Sequence, residues 1–239
     1  MKKRLEDLLV IDIETVPMTR DFSSIDGRLK KQWERKAKLI KNDEGLTVEE
    51  LFSSRAGIYA EFGRVVCISM GFFTLNEGGK WTLRVKSIAE KEEKNVLEGF
   101  TNALSKFDEQ STFLCAHNGR EFDFPYLCRR LLINGLGLPA QLDNGGKKPW
   151  EVNYIDTMDM WKFGDWKSYT SLDLLASVFN VASSKSDMDG SMVATVYYEE
   201  DGLKRISEYC EQDVVVTAQV YLCLTGRPVI EEKNIVILS

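Results

Sequence analysis

The chain has 239 residues, 44% hydrophobic and 28% charged, with 17 glycines, five prolines and a formal charge of −6. That is enough apolar content for a real core and too little Gly and Pro for a linker-dominated chain, which sets aside disordered, collagen-like and coiled-coil classes. No apolar run approaches the ~18–20 residues of a membrane span, and the unbroken apolar run before Asp12 is only four residues long, so a soluble, cytoplasmic protein with no membrane association is expected.

Leu8-Leu9-Val10-Ile11-Asp12-Ile13-Glu14 reads as a strand apolar on both faces, the pattern of a buried central strand. Residues 20–61 are polar and basic, with Leu29, Trp33, Ala37 and Ile40 at helical spacing, and read as a helical insert. Residues 20–41 carry eight basic and three acidic side chains, a local charge of +5 that leaves −11 on the rest. Residues 63–74 and 81–85 predict a β-hairpin around the turn at 76–79. Val96, Leu97, Phe100, Ala103, Leu104 and Phe107 trace an amphipathic helix. A short strand at 111–116 precedes a helix over 124–134 with Pro125 in its first turn. A strand at 152–157, a helix at 171–179 and a long helix at 203–224 complete the order. Strands first, then strands alternating with helices, imply one α/β domain over 1–239: a mixed five-stranded sheet flanked by helices, with the insert after the first strand.

Asp12 and Glu14 stand two apart on a strand, so both side chains leave one face, ~6.5–7 Å apart at the backbone. Ionised carboxylates continuing the row of Leu8 and Val10 are costly unless paired or holding metal. The last helix repeats the anomaly: Leu203, Ile206, Cys210, Asp213, Thr217, Val220 and Leu224 step by three and four, which sets Asp213 in the apolar stripe. Tyr209, four residues earlier, points at the same patch. Asp123, just before Phe124-Pro125, is equally well placed to cap a helix, and Asn118-Gly119 to form a turn. Five cysteines with no C-x-x-C and a single histidine, His117, leave no zinc cluster and suggest reduced thiols in mostly apolar surroundings. His117 reads as a packing or hydrogen-bonding residue; Asp156, Asp159, Lys185 and Asp187 could edge the site but read rather as structural or solvated. No phosphate-binding glycine motif occurs, which disfavours a nucleotide-dependent enzyme.

Asp12-Ile13-Glu14, Asn118-Gly119-Arg120-Glu121-Phe122-Asp123 and Tyr209-Cys210-Glu211-Gln212-Asp213 resemble, in order, the three exonuclease motifs of the DEDD superfamily. The Tyr-x-x-x-Asp form of the third is that of the DEDDy branch. The position five before Asp213 is Glu208, not the His of the sister branch. The likeness is nearest to stand-alone proteins similar to the exonuclease domain of family B DNA polymerases, and it covers about residues 8–224. It implies a ribonuclease H-like fold and a 3′–5′ exonuclease acting on single-stranded 3′ ends, DNA favoured over RNA, releasing nucleoside 5′-monophosphates. It also implies two divalent cations, Mg²⁺ or Mn²⁺, held by Asp12, Glu14, Asp123 and Asp213, with Tyr209 orienting the attacking water. Thr15, Asn118 and Phe122 would touch the terminal nucleotide, and a DNA polymerase or repair protein would be a natural partner. An RNA 3′ exonuclease of ribonuclease D type and a catalytically silent nucleic-acid-binding domain are the alternatives. The insert lies outside the shared motifs. Its apolar stripe is expected to dock near the site and its basic face, Lys31, Arg35 and Lys38, to meet the nucleic-acid backbone; the alternative is an ordinary solvated surface helix.

Overall fold

The computed structural model describes residues 3–165, 169–183 and 188–238. The chain opens with β1 (Leu8–Pro17). The insert follows as α1 (Gly27–Ala37) and α2 (Val48–Arg55). The Asp26 carboxylate accepts from the Arg28 amide to start α1, and a Thr47–Glu50 capping box starts α2. Next come β2 (Gly63–Leu75), β3 (Trp81–Ala89), α3 (Glu93–Leu104), β4 (Phe113–Ala116), α4 (Asp123–Ile133) and β5 (Tyr154–Asp156). The rest is α5 (Thr157–Lys162), α6 (Leu172–Val178), α7 (Val193–Glu199), α8 (Leu203–Leu224) and β6 (Ile235–Leu238).

The sheet is mixed and has six strands in the order β5-β4-β1-β2-β3-β6. The expected five are its first five members; β6, which lies parallel against β3, corrects the count. Four residues after a helix end carry too little pattern to be read as a strand, and it is the neighbour, β3, that fixes them. β1 is antiparallel to β2 and parallel to β4, and with strands on both edges and helices on both faces Leu8 to Ile11 are all buried. Leu9, Ile11 and Ile13 join a core with α3 and α4; Leu8 and Val10 join one with α8.

The insert has its own small core. Leu29, Trp33, Ala37 and Ile40 do form one stripe, but it packs against Phe22, Phe52 and Phe62, within and at the exit of the insert, and not against the sheet. Trp33 is wholly buried there and its Nε1–H donates to the Val48 carbonyl at 3.0 Å. No described helix is long and apolar enough to cross a membrane. Cys67, Cys115 and Cys210 are buried, whereas Cys128 and Cys223 are half-buried; all five are reduced.

Candidate active site

The even-numbered row of β1 begins as core and ends as acid. Leu8 and Val10 pack under α8; Asp12 and Glu14 continue the row, Asp12 half-buried and Glu14 only 7% exposed. A register shift between Glu14 and Thr15 interrupts the regular pairing with β2 at this point, before it resumes at Thr15 and Val65. The helix that covers the row lies close: a Cβ on Gly71 of β2 would stand 2.6 Å from Val214 Cγ1. Cys210 and Val214 therefore face the sheet, while Tyr209 and Asp213 lie half-buried beside them, at the border of the apolar stripe and not within it. The Cys210 Sγ is 3.3 Å from an Asp12 carboxylate oxygen, and its thiol donates there.

Asp123 is the first residue of α4 and not its cap, because the chain turns helical one residue earlier than Pro125 suggests. Its side chain is buried, and its carboxylate accepts from its own amide and that of Ile13. The turn before it is held by Asp156. One Asp156 oxygen accepts from the Asn118 amide at 2.9 Å, the other from the Arg120 amide at 3.0 Å, and the same group caps α5. That clamp keeps Asn118 in the left-handed region, at φ 61°, with its side-chain oxygen buried and without a protein partner.

The acids act on one another. Burial, then Asp213, Glu14 and Asp123, push the Asp12 carboxyl well above its ordinary range, against the thiol hydrogen bond that lowers it. Burial and Asp213 do the same to Glu14. Asp123 is pushed up to about 7, chiefly by burial. The Tyr209 hydroxyl is driven far up by burial and by Asp213, with which it is hydrogen-bonded, so it stays protonated at any working pH. Four carboxylates from β1, α4 and α8 thus share one poorly solvated locality, and ligand atoms of Asp12, Glu14 and Cys210 lie within 4.8 Å of one another.

A cleft of about 430 Å³ opens over this locality, and Asp12, Glu14, Asp123, Thr15, Asn118 and Phe122 line it. The second insert helix reaches it through Ser53 and Ser54, followed by Gly57 and Ile58. Lys31, Arg35 and Lys38 are exposed but line no part of it, and among the described residues its wall contains no Lys or Arg. His117 bonds Thr157 and Thr170, as a hydrogen-bonding role requires. Asp159 sits between Arg120 and Lys162. Lys185 and Asp187 lie outside the described residues. A larger hollow, about 560 Å³, lies by Leu5 and Trp81, but its acids Glu6 and Glu231 are each paired with a cation, Arg4 and Lys233.

Nothing in the sequence marks Cys210 as a neighbour of the acids, since a thiol in an apolar stripe reads as core. Ile58 and Tyr169, which also line the cleft, carry no motif. Asp156, read as structural or solvated, is structural: it holds the turn and caps α5, and an Asp at a strand end, three before Asp159 in a short helical run, is a cap signature.

A search among curated proteins gave no match. Among solved structures, a family B DNA polymerase from the hyperthermophilic archaeon Pyrobaculum calidifontis is similar over 88% of this chain, at 16% identity and a TM-score of 0.55. At that identity the likeness is one of fold, and the chain spans only 23% of the polymerase's length. Residues 58–228 match a family described as predicted 3′-5′ exonuclease related to the exonuclease domain of PolB. The matched span includes Asn118 to Asp123 and Tyr209 to Asp213, while Asp12 and Glu14 precede it. With more than half of its length matched, the chain belongs to this family of predicted 3′–5′ exonucleases related to the exonuclease domain of PolB.

Proposed function

We propose that this protein is a metal-dependent 3′–5′ exonuclease of ribonuclease H-like fold, a single domain that removes nucleoside 5′-monophosphates from the 3′ ends of single-stranded DNA. The observation that carries the reading is the gathering of four carboxylates from three elements, in which Asp213 and the others push Asp12, Glu14 and Asp123 upward. Such a cluster is costly by itself and is relieved by cations. The donors are carboxylate oxygens, and the buried Asn118 oxygen nearby lacks a partner, a set that fits hard divalent ions such as Mg²⁺ or Mn²⁺. Asp12, Glu14 and Asp213 would hold one ion, and Asp12 with Asp123 a second. When bound, such ions polarise the scissile phosphate and neutralise charge on the leaving 3′ oxygen.

The chain's own groups do the rest. Tyr209, protonated and hydrogen-bonded to Asp213, orients the attacking water without titrating. Asp156 fixes the Asn118–Arg120 turn and so sets the approach to Asp123. The Cys210 thiol holds the Asp12 carboxylate by one of its oxygens. The test is a 5′-labelled strand, as DNA and as RNA, incubated with Mg²⁺, Mn²⁺ or EDTA. A ladder of shortening DNA that EDTA abolishes supports the reading. Shortening unaffected by EDTA, or none with either metal, contradicts it, and faster loss of RNA would move the substrate to RNA.

A further inference from the structure

Acids form the floor of the cleft and, among the described residues, no Lys or Arg stands on its walls, so a phosphate there has cations to hold it and not the chain. What the walls contribute is a set of serine hydroxyls: Ser53 and Ser54 in the last turn of α2, and Ser191 just before α7. The proton of each is already spent. Ser53 Oγ lies 3.2 Å from the Glu49 carbonyl oxygen and Ser54 Oγ 2.7 Å from that of Glu50. Ser191 Oγ lies 2.6 Å from an Asp189 carboxylate oxygen, which also accepts the Ser191 amide at 2.8 Å. Carbonyl and carboxylate oxygens only accept, so each serine donates, and a hydroxyl has one proton and two lone pairs. The walls therefore offer lone pairs to whatever enters.

A wall of acceptors selects among the parts of a nucleotide. Phosphate oxygens and the sugar's ring oxygen only accept and gain nothing from it. Base edges carry acceptors beside their donors, and which is which changes with the base. Sugar hydroxyls donate whatever the base is, and a ribose has two on adjacent carbons where a 2′-deoxyribose has one. The two α2 serines are also held in place. Leu51 and Phe52, just before them, are buried in the insert's own core. Gly57, three residues after Ser54, is pressed onto β1, where a Cβ would stand 3.2 Å from the Val16 carbonyl carbon. Its carbonyl accepts from the buried Tyr126 hydroxyl at 2.7 Å, three residues along α4 from Asp123. The insert, which lies outside the three shared motifs, is thus tied to the elements that carry the acids.

We propose that Ser53 and Ser54 read the terminal sugar by accepting hydrogen bonds from its hydroxyls, so that a strand ending in a ribonucleotide is held more tightly than the same strand ending in a 2′-deoxynucleotide. The proposal rests on the exonuclease reading and deepens it: a DNA strand with a ribonucleotide at its 3′ end becomes a favoured substrate. The labour is divided accordingly, with cations on the acids meeting the phosphate and the insert meeting the sugar.

The test is equilibrium binding, read by anisotropy of 5′-fluorescein single strands of DNA that differ only in the last sugar: ribose, 2′-deoxyribose or 2′-O-methylribose. Ca²⁺ replaces Mg²⁺, and readings are taken before gels detect any shortening. Wild type should bind the ribose end ~3- to 10-fold more tightly than the deoxyribose end, the worth of one neutral hydrogen bond. The 2′-O-methyl end keeps the oxygen without its proton and should bind no better than the deoxyribose end. In the Ser53→Ala/Ser54→Ala double variant, whose alanines favour the helix, the ribose preference should fall to about twofold or less. Equal affinity of wild type for the ribose and deoxyribose ends, a 2′-O-methyl end bound as tightly as ribose, a larger preference kept by the double variant, or no binding of any strand would overturn the proposal. Shortening by wild type in Mg²⁺ is scored separately: its absence for every end counts against the exonuclease reading, whereas the affinities alone decide whether the insert reads the sugar.

Discussion

The two faces of β1 are made by one ten-residue strand and end in opposite ways. On the α3–α4 face, Leu9, Ile11 and Ile13 are buried in an unbroken apolar row. On the α8 face, Leu8 and Val10 begin the same kind of row, and Asp12 and Glu14 replace its second half. The first face shows what the fold needs at this position, so the second shows what has been given up: apolar burial exchanged for a cluster of acids that repel one another. The break in the pattern marks the site more clearly than any motif does alone.

The sharpest way to break the comparison is to remove one acid while keeping its shape. Asp12→Asn or Asp213→Asn should reduce DNA shortening by ~10³-fold or more, measured with 5′-labelled strand and Mg²⁺. The matching change on the other face is Ile11→Ala, which should cost about 2–5 kcal/mol in urea unfolding and leave turnover per folded molecule nearly unaltered. If Ile11→Ala lost activity at unchanged stability, the division of labour between the faces would be wrong.

A smaller effect separates the acids from their neighbour. Tyr209→Phe keeps the ring and removes the hydroxyl bonded to Asp213, so turnover should fall by ~10²-fold with metal affinity kept. Titration calorimetry with Mn²⁺ beside single-turnover rates distinguishes this from lost binding. Loss of metal affinity would make Tyr209 part of the ligand scaffold.

The same strand explains what was legible. Alternation and spacing expose Asp12, Glu14 and the Tyr209–Asp213 pair because a charged group in an apolar row is an anomaly visible in one dimension. Helix α8 reads correctly end to end, since 22 residues average out local noise. Strand β6 does not, because four residues depend wholly on β3. Asp123 stays ambiguous in sequence: helix caps and metal ligands use the same residue type, and only its place as the first helical residue, buried beside Ile13, distinguishes them. The insert shows the opposite limit. Its stripe is correct in composition, but its docking partner is the insert's own second half, which periodicity cannot reveal.

The pH dependence of the metal-free protein follows from the acids. Asp123 has a folded-state pKa of about 7 against ~3.9 unfolded, so between these values the folded state binds more protons. Stability in EDTA should therefore fall as pH rises from about 4 through 7, and Asp12 and Glu14, shifted in the same direction, add to the trend. Urea midpoints at pH 5 and pH 8 check the sign: a higher midpoint at pH 8 would contradict it. Mn²⁺ should reverse the trend, because ligands must be deprotonated to bind. The smallest effect concerns the exposed basic face of α1. If it meets the backbone of a longer strand beyond the cleft, replacing Lys31, Arg35 and Lys38 with Gln should lower the salt slope of binding by ~0.7 per lost contact. An unchanged slope would leave these residues as solvated surface.

The most direct test of the central claim, that these acids are kept for cations and not for the fold, is thermal melting of wild type and Asp213→Asn at pH 8, in EDTA and in Mn²⁺. The acid cluster predicts that the variant melts higher than wild type in EDTA, where one repelling charge has gone, and that Mn²⁺ raises wild type much more than the variant. A variant that melts lower in EDTA, with wild type indifferent to Mn²⁺, would show the acids to be structural and contradict the account.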